Sequence, residues 1–444
     1  MMKLFTSLML VLALGVTSPA YASQDGEVTL KLIETSDVHG CYFSYDFISM
    51  KPRKGGLACV SSFVKEQREQ YGDGVVLMDN GDILQGQPIA YYYNYIDTTS
   101  VHVTSAMLNY MKYDVGTMGN HDVETGHAVY DRWVKQCAFP VLGANIVDNK
   151  TGEPYLTPYK IIERKGVKIA VLGMITPAIP SWLPEQLWNG LHFEDMEDCA
   201  RKWVKIIKEK ENPDVLIGLF HAGPEGNKLD NVVENGSGDV AKNVPGFDVV
   251  FMGHDHVRRC EKIVNVAGDF VLLVDPANAA RYVSDVTVKV TKAGGKLVRK
   301  SVEGALADVS RYAADEDFMR EFAGQYQATV DFVSRKIGRI EETITTKDAY
   351  FGPSAFIDLL HQLQLDITGA DISFCAPLSF SAEIKKGDIY MSDMFNLYKY
   401  ENLLYTMKLT GKEIKDFLEM SYALWTNQML SLIHISEPTR QEAI

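Results

Sequence analysis

The sequence predicts an α/β fold whose functional site lies at the carboxyl ends of its strands. Runs of apolar, β-forming residues alternate with helical patterns through the first part of the chain, as far as His256. Short polar blocks follow most of these runs, and glycine flanks several of the blocks. Loops that leave the carboxyl ends of neighbouring strands meet at one edge of an open α/β sheet. The polar side chains of these blocks are therefore expected to converge.

Strands and helices alternate in the order that this fold needs. The predicted strands are Val28–Thr35, Val75–Met78, Tyr113–Thr117, Val167–Ile175, Asp214–Phe220 and Phe247–Met252. Helical periodicity is found over Leu57–Tyr71 and over Thr98–Lys112. We interpret Val271–Asp275 and Tyr282–Val290 as antiparallel additions that close the domain.

Seven side chains in the polar blocks predict a site for two metal ions. They are Asp37, His39, Asp82, Asn120, His221, His254 and His256. Carboxylate, amide and imidazole ligands without thiolate favour Mn, Fe, Co or Zn over Ca or a cysteine-rich structural zinc. A pair of such ions about 3.5–4 Å apart is the arrangement that hydrolyses phosphate esters. Any single Asp-x-His block is weak, and Asn120 alone is more often a turn residue, so the conjunction carries the prediction.

Each ligand has an expected place around the two ions. Asp82 would bridge both, because the glycine before it allows close backbone approach. Its companions divide into two sets, Asp37, His39 and His256 around one ion and Asn120, His221 and His254 around the other. A hydroxide shared by the ions would attack phosphorus in line with the leaving oxygen.

A fifth histidine in the blocks predicts acid–base chemistry beside the ions. His121 follows the ligand Asn120, so its side chain is expected to point elsewhere. There it would stabilise charge on the phosphoryl oxygens or help the leaving group depart. Glu124 or Asp122 would orient this imidazole.

Composition limits the classes of partner. A chain of 444 residues suggests two or three domains, and 46% hydrophobic residues allow sizeable cores. The net charge of −14 argues against a nucleic-acid-binding surface. An acidic protein that acts on a phosphorylated small molecule must neutralise it locally, which metal ions can do.

The first 22 residues resemble an export signal. Lys3 supplies a charged start, Leu4–Val16 an apolar core and Ala20-Tyr21-Ala22 a small-x-small cleavage signal, so cleavage is expected after Ala22. The apolar run is too short for a stable membrane anchor. We therefore expect a periplasmic or secreted protein.

The last third of the chain predicts a connecting helix and a second domain. Apolar residues from Phe318 to Val333 form one stripe of a helix expected over residues 315–336, and a further helix is expected over Ser354–Leu365. From about Met429 the pattern is lost, and Leu430–Ile444 resembles a foreign or frame-shifted tail. The predicted divisions are a leader at 1–22, a catalytic domain at 24–305, a linker at 306–336, a truncated domain at 337–429 and the tail at 430–444.

These motifs resemble those of a known family. The series DVHG, NGD, GNHD, His221 and GHDH is similar to the calcineurin-like metallophosphoesterases. The segments AYFGPSAF, TGADISF, LYKYEN and LTGKEIKDFLE look like the second domain of the 5′-nucleotidase family, which includes 2′,3′-cyclic-nucleotide phosphodiesterases, 3′-nucleotidases and nucleotide-sugar hydrolases. The resemblance covers residues 28–428. It implies a four-layer sandwich of two mixed β-sheets flanked by helices, a linker helix and a partial α+β C-terminal domain that presents the base.

The resemblance also assigns residues. The family's metal ligands fall on the seven positions named above, its catalytic histidine on His121 and its acidic partner, usually Asp, on Glu124. Tyr400 and Asn402 match an aromatic residue and an asparagine near the base, where Tyr400 would stack; the alternative for Tyr400 is a packed strand residue. Where many relatives carry Asn-Gly-Gly-x-Arg, this chain has the run from Cys375 to Phe380, which lacks the substrate-binding arginine.

Three functions remain open from the sequence. The first is an exported, monomeric two-metal enzyme that hydrolyses nucleotides, as a 5′-nucleotidase or as a 2′,3′-cyclic-nucleotide phosphodiesterase and 3′-nucleotidase. The second keeps the metals but takes another organic phosphomonoester or a nucleotide-sugar. The third is a catalytically dead nucleotide-binding protein, against which the intact ligand set argues.

Overall fold

The structure is a computed structural model that describes residues 26–426, apart from 227, 230, 231, 351, 377, 378, 380 and 399–402. The leader, the tail, Tyr400 and Asn402 named above therefore lie outside the described residues.

Two six-stranded mixed sheets form the centre of the molecule. The first sheet has the order Lys296–Asp308, Tyr282–Ala293, Gly26–Thr35, Val75–Asp79, Val115–Thr117 and Val141–Leu142. Its first three strands pair antiparallel, and from Gly26–Thr35 onwards the pairing is parallel. The parallel strands deliver their carboxyl ends to one edge, where the predicted ligand blocks begin.

The second sheet has antiparallel edges around a parallel centre. Its order is Arg259–Val264, Phe270–Asp275, Val249–Met252, Val215–His221, Val167–Ile175 and Tyr159–Arg164. The prediction that Val271–Asp275 is an antiparallel addition is wrong in one respect. Phe270–Asp275 pairs antiparallel with Arg259–Val264 but parallel with Val249–Met252, because the extra strand Arg259–Val264 has already reversed the chain.

Side-chain alternation along the strands builds three apolar layers. Val76 and Met78 pack between the sheets with Ile169 and Ile217, whereas Leu77, on the opposite face, packs against helices. A third core lies under the helices that cover the second sheet. Because successive strand residues point to opposite faces, an almost wholly apolar strand such as Val75–Asp79 can serve two cores. The predicted four-layer sandwich is confirmed.

The described helices surround the sheets and follow them. The α-helices are Leu57–Tyr71, Pro88–Tyr91, Val103–Met111, Asn120–Val123, His127–Gln136, Ile179–Trp182, Met196–Lys210, Ser237–Asn243, Glu316–Glu321, Ala323–Val333, Ala355–Thr368, Met391–Leu397 and Gly411–Thr426, with a π-helical turn at Tyr92–Ile96 and short 3₁₀ turns at Gly72–Gly74, Glu185–Leu187, Val309–Arg311 and Lys347–Tyr350. None of the helices within the described ranges is long and apolar enough to cross a bilayer.

The connecting segment differs from the single helix predicted over residues 315–336. It consists of Glu316–Glu321 and Ala323–Val333, which are separated at Phe322. Gly324 follows the break, and glycine is among the weakest helix formers. Phe318 and Phe322 are nevertheless buried against the catalytic sandwich. The apolar face of the segment therefore packs on the sandwich even though the helix is interrupted.

The C-terminal region forms a small α+β unit of its own. Lys336–Ile340 pairs with Gly387–Tyr390, and Ile344–Thr345 pairs with Glu383–Ile384. Helix Ala355–Thr368 covers a core that contains Phe356, Leu360, Ala382, Ile384 and Leu397.

Candidate metal centre

All seven predicted ligands lie at one end of the sandwich, where the two sheets meet. Asp37, His39, Asp82 and Asn120 follow strands of the first sheet, whereas His221, His254 and His256 belong to the ends of two parallel strands of the second. The site therefore takes ligands from both sheets.

One group of three ligands surrounds Asp37. Nε2 of His256 lies 3.1 Å from Oδ1 of Asp37 and 3.0 Å from Nε2 of His39. The ligand atoms of these three residues all lie within 4.8 Å of one another. A carboxylate and two imidazole nitrogens at this spacing can coordinate one divalent cation.

A second group of three surrounds Asp82. Nε2 of His221 lies 3.2 Å from Oδ2 of Asp82, and His254 completes the group. Oδ1 of Asn120 lies 3.2 Å from Nε2 of His221 and 2.8 Å from Nδ1 of His254, so the amide oxygen also faces this group. Two compact clusters thus stand side by side.

The outer nitrogen of each of these histidines contacts a further group, and three of the four groups lie outside the quoted motifs. Gln85 Oε1 lies 3.0 Å from Nδ1 of His39, and the Asn80 carbonyl accepts from Nδ1 of His221 at 2.6 Å. Glu234 Oε1 lies 3.0 Å from Nε2 of His254, and Asn278 Nδ2 lies 3.0 Å from Nδ1 of His256. The oxygen acceptors at His39, His221 and His254 can take the N–H of the outer nitrogen and leave the other nitrogen to face the cluster. The amide nitrogen of Asn278 is instead a donor to Nδ1 of His256. Asn80 stands within a quoted motif, but nothing in the sequence marks Glu234 or Asn278.

Backbone strain is concentrated in the ligand loops. Asp37, His39, Asp82, His254 and His256 all have φ between 48° and 77°. Residues other than glycine seldom adopt this left-handed conformation, and strain of this kind persists where the surrounding structure over-determines it, as at functional sites.

Gly81 lets two ligand loops approach each other. Its φ is +84°, and a Cβ there would lie 2.4 Å from the backbone nitrogen of Gly119. Asp82 and Asn120 follow these two glycines. Close backbone contact between the loops is therefore what places Asp82 beside the other ligands, and only glycine permits it.

The charges of the donor set fit divalent cations. Burial raises the pKa of Asp82, but His221 and His121 outweigh this effect and hold the pKa of Asp82 well below its ordinary value. Burial, together with His256, lowers the pKa of His39 to about 4. A charged carboxylate and a neutral imidazole are the protonation states that metal coordination requires. Burial lowers the pKa of His221, but Asp82 and Asp37 outweigh this effect and raise it to about 10, so this imidazole must lose a proton to bind an ion.

His121 is paired with Glu124 rather than with Asp122. Nδ1 of His121 lies 2.6 Å from Oε2 of Glu124. Burial lowers the pKa of His121, but Asp82 and the Glu124 contact outweigh this effect and raise it to about 9. Asp122 instead accepts the backbone N–H groups of Asp82, Ile83, Leu84 and Gly119 at 2.8–2.9 Å.

Two family models match the chain. The model described as calcineurin-like phosphoesterase matches residues 30–258. The model described as 5′-nucleotidase, C-terminal domain, matches residues 336–436.

Three similar proteins carry names of enzymes that act on nucleotides. The trifunctional nucleotide phosphoesterase protein YfkN of Bacillus subtilis is 27% identical over 453 residues, which cover 91% of this chain but only 31% of that protein. The 2′,3′-cyclic-nucleotide 2′-phosphodiesterase/3′-nucleotidase of Haemophilus influenzae is 28% identical over 470 residues, covering 94% of this chain and 70% of that protein. The crystal structure of a 5′-nucleotidase precursor from Thermus thermophilus superposes with a TM-score of 0.64 at 21% identity, over 90% of this chain and 79% of the other, and shows the shared fold.

The catalytic sandwich is thus recognised by its sequence as well as by its shape. Residues 30–258 make up more than half of the 444 residues. The chain belongs to the calcineurin-like phosphoesterase family and is a metal-dependent phosphoric ester hydrolase.

Proposed function

We propose that this chain is an exported enzyme that hydrolyses the phosphoester bond of nucleotides with two divalent metal ions. The observation that carries the proposal is the pair of ligand clusters around Asp37 and Asp82, with His121 beside them. The names of the similar proteins from Bacillus subtilis and Haemophilus influenzae support a nucleotide as the substrate.

Each cluster would hold one ion. Asp37, His39 and His256 would bind the first, Asn120, His221 and His254 the second, and Asp82 would serve both. Bound Mn, Zn, Co or Fe would supply Lewis-acid stabilisation of the phosphoryl oxygens. The chain's contribution is to present charged carboxylates and imidazoles whose outer atoms are already fixed.

His121 would act on the oxygens of the substrate. Its backbone N–H donates to Oδ1 of Asp82 at 2.8 Å, which fixes the residue next to a metal ligand. Glu124 holds Nδ1, and Nε2 has no hydrogen-bond partner within the described part of the chain. With a pKa raised to about 9, the imidazole carries a proton near neutral pH and can give it to the leaving oxygen.

The C-terminal region would select the substrate. The proposed division keeps a leader at 1–22, the catalytic domain at 24–305, the linker at 306–336, the substrate domain at 337–429 and an aberrant tail at 430–444. Tyr400 and Asn402 would contact the base. The absence of an arginine from the run Cys375–Phe380 favours, as a second candidate, hydrolysis of a nucleotide-sugar or of another organic phosphomonoester.

Turnover by the purified full-length chain tests this proposal. Protein treated with EDTA and reloaded with Mn, Co or Zn should hydrolyse AMP, 2′,3′-cyclic AMP or a UDP-sugar, as well as p-nitrophenyl phosphate. His121→Ala and Asp82→Ala should each lower kcat by about 100-fold or more, whereas the exposed His192→Ala should not. Absence of metal-dependent turnover on all four compounds would refute the enzyme proposals, and nucleotides left intact while p-nitrophenyl phosphate is cleaved would refute the nucleotide as substrate.

A further inference from the structure

A cationic cavity opens directly beside the first ligand cluster. Its volume is about 590 Å³, and it is lined by residues of three loops, by Tyr282 at the start of strand Tyr282–Ala293 and by Ser310. The loops precede helix Leu57–Tyr71, follow strand Val249–Met252 and follow strand Phe270–Asp275. The volume lies within the range of roughly 300–1,000 Å³ that is usual for small-molecule sites.

Four positive side chains line this cavity, and no carboxylate lines it. They are Arg53, Lys54, Arg258 and Arg281. None of the four forms an ion pair within the described residues, although many cations elsewhere on the chain do. In a protein with a net charge of −14, unpaired positive charge gathered in one cavity indicates an anionic ligand.

The neighbouring acidic side chains are engaged elsewhere. Oδ1 of Asp255 accepts the backbone N–H of Val257 at 2.9 Å. The two carboxylate oxygens of Asp308 accept from Ser310 and Arg311. Neither carboxylate forms an ion pair with a cation of the cavity within the described residues.

Two of the arginines are held in place before any ligand binds. The guanidinium of Arg258 stacks over the Tyr282 ring, with its carbon 4.7 Å from the ring centre. Arg53 donates to the carbonyl of Ala279 at 3.3 Å and contacts the thiol of Cys41. Pre-positioned guanidinium groups lose less entropy on binding a phosphate than free ones do.

The cavity and the metal centre share a wall. Nε2 of His256 faces Asp37, while Nδ1 contacts Asn278, and both His256 and Asn278 line the cavity. The His256 side chain is 38% exposed, whereas that of Asp37 is fully buried. A ligand bound at the Asp37 cluster can therefore extend past His256 into the cavity.

We propose that this cavity is a subsite for a second phosphate of the substrate, distinct from the phosphate that is cleaved at the metal centre. This inference rests on the proposed function and narrows its substrate class to nucleotides with two phosphate groups, such as ADP. The outer phosphate of ADP would lie at the metal centre, where water attacks its phosphorus and the phosphoanhydride bond to the inner phosphate breaks, so that orthophosphate and AMP leave. Arg258 and Arg281, with Arg53 and Lys54, would neutralise the inner phosphate.

The ratio of kcat/KM for ADP to kcat/KM for AMP measures the subsite. In the metal-loaded full chain, the double variant Arg258→Gln/Arg281→Gln should lower this ratio by at least about 10-fold, because charge-assisted contacts to phosphate are lost. Arg299→Gln is the matched control, because Arg299 on strand Lys296–Asp308 is exposed and has no ion pair with any residue that the structure describes, and it should change the ratio by less than about 2-fold. An unchanged ratio in the double variant would overturn the subsite.

Calorimetry separates failure of the subsite from failure of the proposed function. In metal-loaded His121→Ala protein, addition of the two arginine substitutions should raise the Kd of ADP at least about 10-fold and that of AMP far less. If the Kd of ADP rises much more than the Kd of AMP, but the wild type turns over no nucleotide, nucleotide hydrolysis is refuted and the subsite is retained. If the two arginine substitutions weaken orthophosphate binding as much as ADP binding, and the Kd values of AMP and ADP become equal, the cavity takes free phosphate. The proposal is then wrong.

Discussion

Single buried side chains hold the metal centre together, and Asp122 is the clearest case. Four backbone N–H groups from two ligand loops converge on its carboxylate, which is fully buried. The sequence offered Asp122 only as an alternative partner for His121. Glu124 makes that contact instead. Asp122 therefore binds the loop backbone, and Glu124 binds the imidazole.

Replacing Asp122 with Asn should loosen both ligand loops. The amide keeps one acceptor oxygen but turns an NH₂ group towards backbone donors, which we expect to destabilise the fold by about 3 kcal/mol and to weaken metal binding. Thermal unfolding and metal content by mass spectrometry provide the readouts. Asp97→Asn is the control, because Asp97 also accepts backbone N–H groups but lies in an exposed turn. The Asp97→Asn protein should bind as much metal as the wild type. Equal metal content in both variants would contradict this role.

His102 shows how a buried residue away from the metals can set the acid stability of the fold. It is fully buried, and its Nε2 lies 2.9 Å from Oδ1 of Asn94. Burial, with Arg132 nearby, lowers the pKa of His102 to about 3. Since the unfolded imidazole titrates near a pKa of about 6.5, the unfolded state binds more protons below that pH. Stability is therefore lost as the pH falls from about 6.5 towards 3.

The substitution His102→Gln should make stability less sensitive to acid. Between pH 7 and pH 5 the titration of His102 lowers the free energy of unfolding of the wild type by about 2 kcal/mol. The variant lacks this titration, so its free energy of unfolding should fall by about 2 kcal/mol less over the same range. Urea unfolding at the two pH values measures the difference, and His192→Gln, an exposed histidine, is the control. A variant with the same pH dependence as the wild type would show that His102 does not titrate in this way.

At the scale of elements, local pattern located the inner strands of both sheets but missed the four edge strands, and it located helix ends less well. Leu57–Tyr71 and Val167–Ile175 begin and end where periodicity placed them. The helix predicted over Thr98–Lys112 begins instead at Val103, because Asp97 ties Thr99 and Ser100 into a turn and His102 caps the helix. A competing side-chain hydrogen bond outweighed weak helix propensity.

The loop between strand Val75–Asp79 and Asp82 depends on one glycine. Gly81→Ala should separate the Asp82 and Asn120 loops, because the added Cβ meets the backbone at Gly119. We expect loss of metal content and of turnover. Gly152→Ala is the matched control, since Gly152 also has a positive φ of +71° but nothing within 4 Å of the added Cβ, and it should cost only about 1 kcal/mol. Metal retained by the Gly81 variant would refute the close-approach argument.

At the scale of the whole molecule, an aromatic cluster joins the catalytic sandwich to the C-terminal unit. Phe332 of helix Ala323–Val333 packs against Tyr91 and Tyr92 on one side and Phe395 on the other, with ring centres 5.3–6.2 Å apart. The connecting helices therefore act as a packed layer between the two units rather than as a free tether.

Phe332→Ala should weaken the joint between the two units. Removing a buried phenyl ring costs about 3 kcal/mol or more, and the C-terminal unit should become more sensitive to protease than the catalytic sandwich. Limited proteolysis followed by mass spectrometry tests this expectation. Phe270→Ala, at a side chain that is 71% exposed, should leave the digestion pattern unaltered. Identical cleavage rates in both variants would contradict the role of the cluster.

The sequence by itself determined the α/β class, the order of the ligand blocks and the reaction class, because strand alternation and a polar residue after a strand are local properties. Only the tertiary structure decided which nitrogen of each histidine faces the cluster, since Glu234 and Asn278 reach His254 and His256 from separate loops. The cationic cavity also depends on three loops that are distant in sequence. Such juxtapositions arise from packing two sheets face to face, and residue order does not encode them locally.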